Sequence, residues 1–165
     1  MSCDIGEVPE KSLNNPLDTE AAAEKGINTP ALVFFPDSAS TSIGSTVSFE
    51  VFALGVDKLG MAYVKIDYDD TKLSVTSVNP GEFLQSTQNL FLYDTDTPGI
   101  INIYSSYLGA DSVEVSGTGN LVYLVFQAKT PGVSSVIFST ESEFVDGEDN
   151  PIQIKGYGRG LVDAK

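Results

Sequence analysis

The side chains that could carry chemistry in this chain are almost all carboxylates. The sequence has 23 Asp and Glu residues, nine Lys and Arg residues, no histidine and a single cysteine, Cys3. This composition excludes serine–histidine and cysteine–histidine catalytic pairs, histidine-ligated zinc and an intrachain disulfide. Glycosidase-type catalysis requires two carboxylates at a fixed separation across a sugar cleft, which no pattern in the sequence indicates. We therefore predict that the protein is not an enzyme.

Two acidic segments are candidates for calcium binding. Asp94 and Asp96 stand two residues apart ahead of Gly99, a spacing typical of calcium-binding loops, and residues 146–151 form a second acidic segment. The rest of the EF-hand pattern is missing, because Ser105 stands where that loop has its bidentate acid. For each segment the alternative to a calcium site is a solvated surface loop that binds no ion. No other metal or cofactor is predicted.

The run Gly156-x-Gly158-x-Gly160 near the end of the chain is a candidate for phosphate binding. Glycine-rich loops cradle phosphate when a helix follows and offers its N-terminus, but no helical pattern follows here. We interpret the run as a kinked or bulged edge strand.

The formal net charge of −14 limits the class of partner. A surface this acidic repels nucleic-acid phosphates and anionic lipid headgroups, so we predict no nucleic-acid partner and no direct binding to a membrane surface. The acidity is equally consistent with an adaptation for solubility that involves no partner.

Residues 1–28 differ in composition from the rest of the chain. Six acidic residues and few aliphatic ones cannot bury enough apolar surface to order this segment, so we expect a flexible acidic tether with at most a helical turn at residues 20–25. The start Met1-Ser2-Cys3-Asp4 resembles a processed lipoprotein to which a start codon has been added, which makes Cys3 the candidate lipidation site; the alternative is a cysteine without functional importance. We expect an extracellular or cell-surface protein whose only attachment to a membrane would be a lipid on this cysteine.

From residue 31 onward, apolar and polar residues alternate, which predicts strands. One strand starts at Val47, and a turn is predicted at residues 55–60. The next strand directs four side chains toward the core: Ala62, Val64, Ile66 and Tyr68. Further short strands, separated by turn signals, include a hairpin around residues 94–99 and an apolar strand at residues 120–129 with both faces buried. The sequence predicts one all-β sandwich domain of about nine strands over residues 29–165.

Several motifs resemble the cohesin domain of cellulosomal scaffoldins. The order of a Tyr-Asp strand end, a Leu-x-Val strand and a Val-x-Pro-Gly turn is found at Tyr68-Asp69, Leu73-x-Val75 and Val78-x-Pro80-Gly81. The segment Ile43-Gly44-Ser45-Thr46-Val47 upstream and the segment Phe144-Val145-Asp146 downstream are similar to other parts of the family pattern. Together the matches cover about residues 31–163 in the family's order.

The resemblance implies a jelly-roll sandwich with a binding role, since cohesins present one sheet face to a dockerin, a small calcium-loaded helical module. Carried over by position, the partner-binding residues would be Met61, Tyr63, Lys65, Asp67, Tyr104 and Ser106. Met61 and Tyr63 replace polar residues frequent in the family, and Asp70 replaces its proline, which favours a partner of different specificity. Exposed aromatic residues and methionine are typical interface anchors, although packing under a loop or the tether would also account for them.

The leading hypothesis is therefore a module that binds a dockerin-bearing protein. A carbohydrate-binding sandwich, with polysaccharide as the partner, is the second, because such modules stack sugars on exposed aromatic residues; the absence of Trp disfavours it. A structural domain of a cell-surface assembly is the third.

Overall fold

The structure is a computed structural model and describes residues 18–84, 89–107 and 114–165. These residues contain one helix and twelve strands, which confirms the all-β class. In chain order they are α1 Thr19–Glu24, β1 Ala31–Phe35, β2 Ser38–Thr41, β3 Thr46–Tyr68, β4 Leu73–Pro80, β5 Asn89–Asp94, β6 Ile100–Tyr107, β7 Val115–Ala128, β8 Gly132–Phe138, β9 Glu143–Asp146, β10 Pro151–Ile152, β11 Gly156–Tyr157 and β12 Arg159–Ala164. Within the described ranges, no helix has the length and apolar composition needed to cross a membrane.

The strands form two stacked sheets that share the long strand β3, which confirms the predicted sandwich. In the first sheet, residues 46–59 of β3 pair with β7 and residues 50–54 pair with β1, while β4 joins β7 and β11 joins β1. In the second sheet, residues 61–67 of β3 pair with β6, and β5 lies beyond β6. On its other side β3 pairs with β9 and then with β8, and the sheet continues from β8 to β12 and β2.

The core lies between the two sheets and is rich in aromatic rings. Phe34 of β1 stacks on Phe138 of β8 with ring centroids 4.2 Å apart, and Phe49 of β3 meets Phe34 edge-on at 5.7 Å. Such contacts hold one sheet against the other through apolar burial and ring geometry. Of the residues predicted to face the core from the second half of β3, Ala62, Val64 and Ile66 are fully buried. The fourth, Tyr68, is only partly buried and packs against the core from its margin.

The predicted turn at residues 55–60 is wrong, because β3 runs through it as one bent strand of 23 residues. Gly55 and Lys58 both have φ near +61°, and the pairing with β7 shifts register here, so the chain bulges without leaving the sheet. Two hydroxyls of β7 keep the bulge attached: Thr118 Oγ1 accepts from the Gly55 N–H and Ser116 Oγ accepts from the Lys58 N–H, each at 2.9 Å. The side chains on either side of the bend therefore belong to different sheets.

The number of strands also differs from the expected nine. β2 is an additional short strand between β1 and β3, where it pairs with β12, and residues 151–164 contain three separate strands, β10, β11 and β12. The division follows from close packing at the glycines: a Cβ on Gly156 would lie 2.5 Å from the Asn28 carbonyl oxygen, and one on Gly160 would lie 3.3 Å from the ring of Phe49. The strand is interrupted at Gly158, and the edge-strand prediction is correct for one part only. In the described residues β11 pairs with β1 alone and is an edge strand, whereas β12 lies between β8 and β2.

β7 is central in the first sheet, as predicted, because it pairs with both β3 and β4. Only one of its faces is fully buried, however. Tyr123 and Gln127 are exposed on the other face, where the Tyr123 hydroxyl donates to the Glu82 carboxylate at 2.7 Å.

Residues 18–28 carry more structure than the composition predicts. The Asp18 carboxylate caps α1 by accepting from the Ala21 N–H at 2.9 Å, and Lys25 Nζ pairs with Asp37 at 2.9 Å. Ala22 is fully buried. Its small side chain lets the helix approach the first sheet closely. It packs with Ala31, Val33 and Leu54. Residues 1–17, which include Cys3, lie outside the described residues.

Candidate functional site

The structure brings the six predicted contact residues onto one face of the second sheet. β6 runs antiparallel to the second half of β3, which places Tyr104 opposite Tyr63 and Ser106 opposite Met61. Opposite residues in an antiparallel pair point to the same side, and so do alternate residues along a strand. Lys65 and Asp67 therefore join the other four, and none of the six is buried. We call this surface, formed by β5, β6, β9 and residues 61–67 of β3, the candidate face.

Two tyrosines form the centre of the candidate face. The rings of Tyr63 and Tyr104 are stacked, with centroids 4.8 Å apart and planes inclined by 16°. The Tyr63 hydroxyl donates a hydrogen bond of 2.7 Å to Asn102 Oδ1. Partial burial, and then the neighbouring Tyr104, raise the pKa of Tyr63 above its usual value. Tyr63 is therefore an uncharged aromatic ring at neutral pH, held in place by Tyr104 and Asn102.

The margins of the candidate face are charged. Lys65 Nζ and Glu141 Oε1 are 3.2 Å apart, and the hydrogen bond to Glu141 raises the pKa of Lys65. Glu143 of β9 and Asp94 of β5 are exposed at opposite margins. Exposed ion pairs contribute little to stability, so these groups are able to exchange their present contacts for those of a partner.

A shallow apolar depression lies beside the tyrosine pair, and two of its residues were missed by the sequence analysis. The depression is lined by Met61, Leu90, Leu92, Tyr104 and Ser106. Leu92 is 54% exposed, a large fraction for an aliphatic side chain. The β5–β6 pairing places Leu92 opposite Tyr104 and Leu90 opposite Ser106. The alternation Leu90-x-Leu92 was a visible signal, but only the register shows which side of the hairpin it occupies.

The two acidic segments are organised by hydrogen bonds to their own backbone. Asp94 Oδ1 accepts from the Asp96 N–H at 2.7 Å, and Asp146 Oδ1 accepts from the Glu148 and Asn150 N–H groups at 2.8 Å each. The bond from Asn150 is the main cause that lowers the pKa of Asp146. In the part of the chain that the structure describes, no three Asp, Glu, His or Cys side chains are grouped to hold a metal ion.

The outer faces of the two sheets differ in how they are covered. α1 lies over β1 and β3 on the outside of the first sheet, where Ala22, Ala31 and Val33 form a small second core. The described residues place no such element over the candidate face, whose Tyr104 is 43% exposed. Large apolar and aromatic groups exposed together on a sheet indicate a binding surface.

Comparison with known protein families identifies one match. The family model described as "Cohesin domain" matches residues 32–156, which is most of the chain. Among curated protein sequences, none matches the chain.

Solved structures of similar fold include several from this family. The cohesin CaCohA2 from Clostridium acetobutylicum is 25% identical, with a TM-score of 0.70, over 82% of this chain and 90% of that one. A non-cellulosomal cohesin from the archaeon Archaeoglobus fulgidus is 22% identical, with a TM-score of 0.68, over 82% and 90% of the two chains. The sixth cohesin of scaffoldin B from Acetivibrio cellulolyticus, solved in complex with a Cel5 dockerin variant, is 23% identical, with a TM-score of 0.68, over 82% and 98%.

Proposed function

Because the chain belongs to the cohesin domain family, whose members are non-catalytic interaction modules, we propose that it binds a dockerin-type partner through the candidate face and has no enzymatic activity of its own. The observation that carries the proposal is the stacked pair Tyr63 and Tyr104 beside an apolar depression on an uncovered sheet face. Binding sites of this kind anchor a partner through a few large, well-packed side chains at their centre.

Two further points support this proposal. The similar cohesin of Acetivibrio cellulolyticus was solved with a dockerin bound, and so was a cohesin of Clostridium thermocellum that is 17% identical to this chain, with a TM-score of 0.66. In this chain the candidate face is also rigid where contact is proposed, since Tyr63 is held by both the ring stack and its bond to Asn102. A preorganised surface loses little side-chain entropy when it binds.

The proposal is tested by calorimetric titration of the purified chain with a broad panel of dockerins, with and without calcium. At least one should bind in calcium, and Tyr63→Ala should weaken that binding by about 1 kcal/mol or more, because truncation removes the central ring and leaves Asn102 unpaired. Tyr123→Ala is the matched control. It removes an exposed tyrosine from the first sheet, and its affinity should equal that of the unchanged chain.

Absence of binding across the panel would contradict the proposal. A pull-down with insoluble polysaccharides distinguishes the carbohydrate-binding alternative, since a sugar-binding module would be retained on a glycan and released by Tyr63→Ala.

We also propose an extracellular or cell-surface location, as expected for a partner of dockerin-bearing proteins. Protease treatment of intact cells should then degrade the protein while a cytoplasmic marker survives.

A further inference from the structure

Two neighbouring cavities lie where α1 meets the last strands of the chain. The first has a volume of about 490 Å³, and its lining includes Lys25, Asp37 and Arg159. The second has a volume of about 610 Å³ and is lined by residues of α1 and by Lys155, among others. Ile27 belongs to both linings, so the two cavities form one surface, which we call the α1 cleft. None of its lining residues belongs to the candidate face.

The charges of the α1 cleft are opposite to those of the molecule as a whole. Its lining has three cations, Lys25, Lys155 and Arg159, and one carboxylate, Asp37, so three positive charges and one negative charge leave +2 on a chain with a net charge of −14. Arg159 is the only arginine in the sequence. Lys25 is paired with Asp37, whereas Lys155 and Arg159 form no ion pair with any described residue. Two cations of the cleft are therefore available to an anion.

The spacing of these two cations favours an extended ligand. Lys155 and Arg159 flank β11 and are four residues apart, so an extended backbone that rises about 3.3 Å per residue separates their Cα atoms by up to about 13 Å. A small anion with one acidic group reaches only one of the two side chains. A polymer with repeated carboxylates meets both.

The uncharged polar side chains of the α1 cleft carry hydroxyl or amide groups, and none of them makes a side-chain hydrogen bond with another described residue. They are Thr19, Asn28, Thr29, Ser38, Gln153 and Tyr157. Such groups both donate to and accept from the hydroxyl groups of a sugar. Burial raises the pKa of Tyr157, so its hydroxyl keeps its proton at neutral pH. Ile27 and Leu161 add apolar surface for the C–H groups of a sugar ring.

The walls of the α1 cleft are fixed by contacts already present. The Lys155 N–H donates to the Pro30 carbonyl at 2.7 Å, and the Gly158 N–H donates to the Leu32 carbonyl at 2.7 Å, so the wall around β11 is tied to β1. The opposite wall, α1, is held by its buried alanine and by its ion pair. A preformed cleft loses little conformational entropy when it binds a ligand.

We propose that the α1 cleft binds an acidic polysaccharide, whose uronate carboxylates contact Arg159 and Lys155 and whose hydroxyl groups bond to the uncharged polar side chains of the lining. The Arg159 guanidinium suits a carboxylate because it offers two parallel N–H donors. An acidic peptide supplies carboxylates but few hydroxyl groups, so the lining favours the saccharide. At physiological ionic strength the Debye length is about 8 Å, which screens the repulsion from distant carboxylates of the protein. This activity goes beyond the dockerin-type function and does not depend on it.

The test is a titration of the isotope-labelled chain, at physiological ionic strength, with oligosaccharides of galacturonate, glucuronate and mannuronate. At least one should shift the amide signals of residues 24–29 and 153–161. Arg159→Gln should weaken this binding by about tenfold or more, because it removes a charge-assisted contact, and Lys155→Gln should weaken it by several-fold. Lys129→Gln is the matched control, since it makes the same change in charge at an exposed residue outside the cleft and should leave the affinity unchanged.

Two further probes separate charge from sugar. The methyl ester of the bound oligosaccharide keeps the hydroxyl groups without the charges, and poly-glutamate keeps the charges without the sugar rings. Each should bind at least tenfold more weakly than the acidic oligosaccharide. The inference is overturned if either binds equally well, if no acidic oligosaccharide shifts the signals of the cleft, or if Arg159→Gln binds as well as Lys129→Gln.

The same variants keep this inference distinct from the function proposed for the candidate face. Tyr63→Ala should leave the binding of the acidic oligosaccharide unchanged, and Arg159→Gln should leave the binding of a dockerin unchanged. Loss of oligosaccharide binding in Tyr63→Ala would place the sugar on the candidate face and exclude the α1 cleft. Absence of dockerin binding, by contrast, leaves the result at the α1 cleft unaffected.

Discussion

At the scale of single residues, the candidate face depends on how Tyr63 is held. Its ring stacks on Tyr104 and its hydroxyl donates to Asn102, so the side chain has both its plane and its polar end fixed. The alternation along β3 was sufficient to predict that Tyr63 points outward, since neighbours at Ala62 and Val64 had to be core. The stack and the bond to Asn102 were not predictable, because they depend on the register between β3 and β6.

The raised pKa of Tyr63 leads to a prediction about alkaline pH. A tyrosine whose pKa is higher in the folded state favours the neutral form, so its contribution to stability is complete below the usual value of 10.0 and is lost as the pH rises through the higher native pKa. Tyr63→Phe keeps the stack but removes the titrating hydroxyl. We expect the difference between the alkaline absorbance titrations of the two proteins to have its midpoint above 10.0. A midpoint at or below that value would contradict the packing described for this ring.

At the scale of elements, the bend in β3 connects the core to the candidate face. The strand pairs with β7 in the first sheet as far as Leu59 and with β6 in the second sheet from Met61 onward, so the bulge determines where the residues of the candidate face lie relative to β6. Both Gly55 and Lys58 adopt a left-handed backbone conformation, but only one of them is glycine. The sequence indicated a turn here because Gly55 and Gly60 are typical turn residues, whereas the hydroxyls of Ser116 and Thr118 that maintain the pairing come from a distant strand.

We predict that two substitutions at the bend have different effects. Gly55→Ala should lower the free energy of unfolding by about 1–3 kcal/mol, since the new methyl group would lie 2.9 Å from the Thr29 side chain and alanine is strained at this φ. Lys58→Gly should leave the free energy of unfolding unchanged or raise it by up to about 1 kcal/mol, because glycine relieves the same backbone strain without a loss of core contacts. Urea denaturation measures both. Equal destabilisation by the two changes would show that the bend is not fixed as described.

The β5–β6 hairpin shows why part of the site could not be read from the sequence. A hairpin closed at the ends of the predicted loop would pair Tyr93 with Ile100 and therefore Leu92 with Ile101, which is buried. The observed register pairs Leu92 with Tyr104, an odd shift of three residues that moves Leu92 to the outer side. A register change of an odd number exchanges the two faces of a strand. The strands and the loop were thus predictable, but the apolar depression was not.

At the scale of the whole molecule, the two outer faces of the sandwich differ in how they are covered. The first sheet is covered in part by α1, whose docking uses a single buried alanine and an ion pair, while the second sheet leaves its tyrosines and Leu92 to solvent. The composition of residues 1–28 indicated a tether because six acidic and few aliphatic residues bury too little apolar surface to order a segment. The helix found there has six residues and almost no stability by itself. Residues 18–28 are ordered by their contacts with β1 and β3. These contacts are distant in sequence, so the local sequence pattern could not predict them.

The docking of α1 predicts that the domain extends to residues before 29. Ala22→Asp should lower the free energy of unfolding by about 1–3 kcal/mol, because a carboxylate in the place of a fully buried methyl group either remains unpaired or forces the helix off the first sheet. Ala23→Asp places the same charge on the exposed side of α1 and should change the free energy of unfolding by no more than about 0.5 kcal/mol. Denaturant unfolding of the two variants measures the difference. If they are equally stable, α1 does not dock in solution, the folded domain begins at residue 29, and the covering of the first sheet cannot explain why the partner would choose the second.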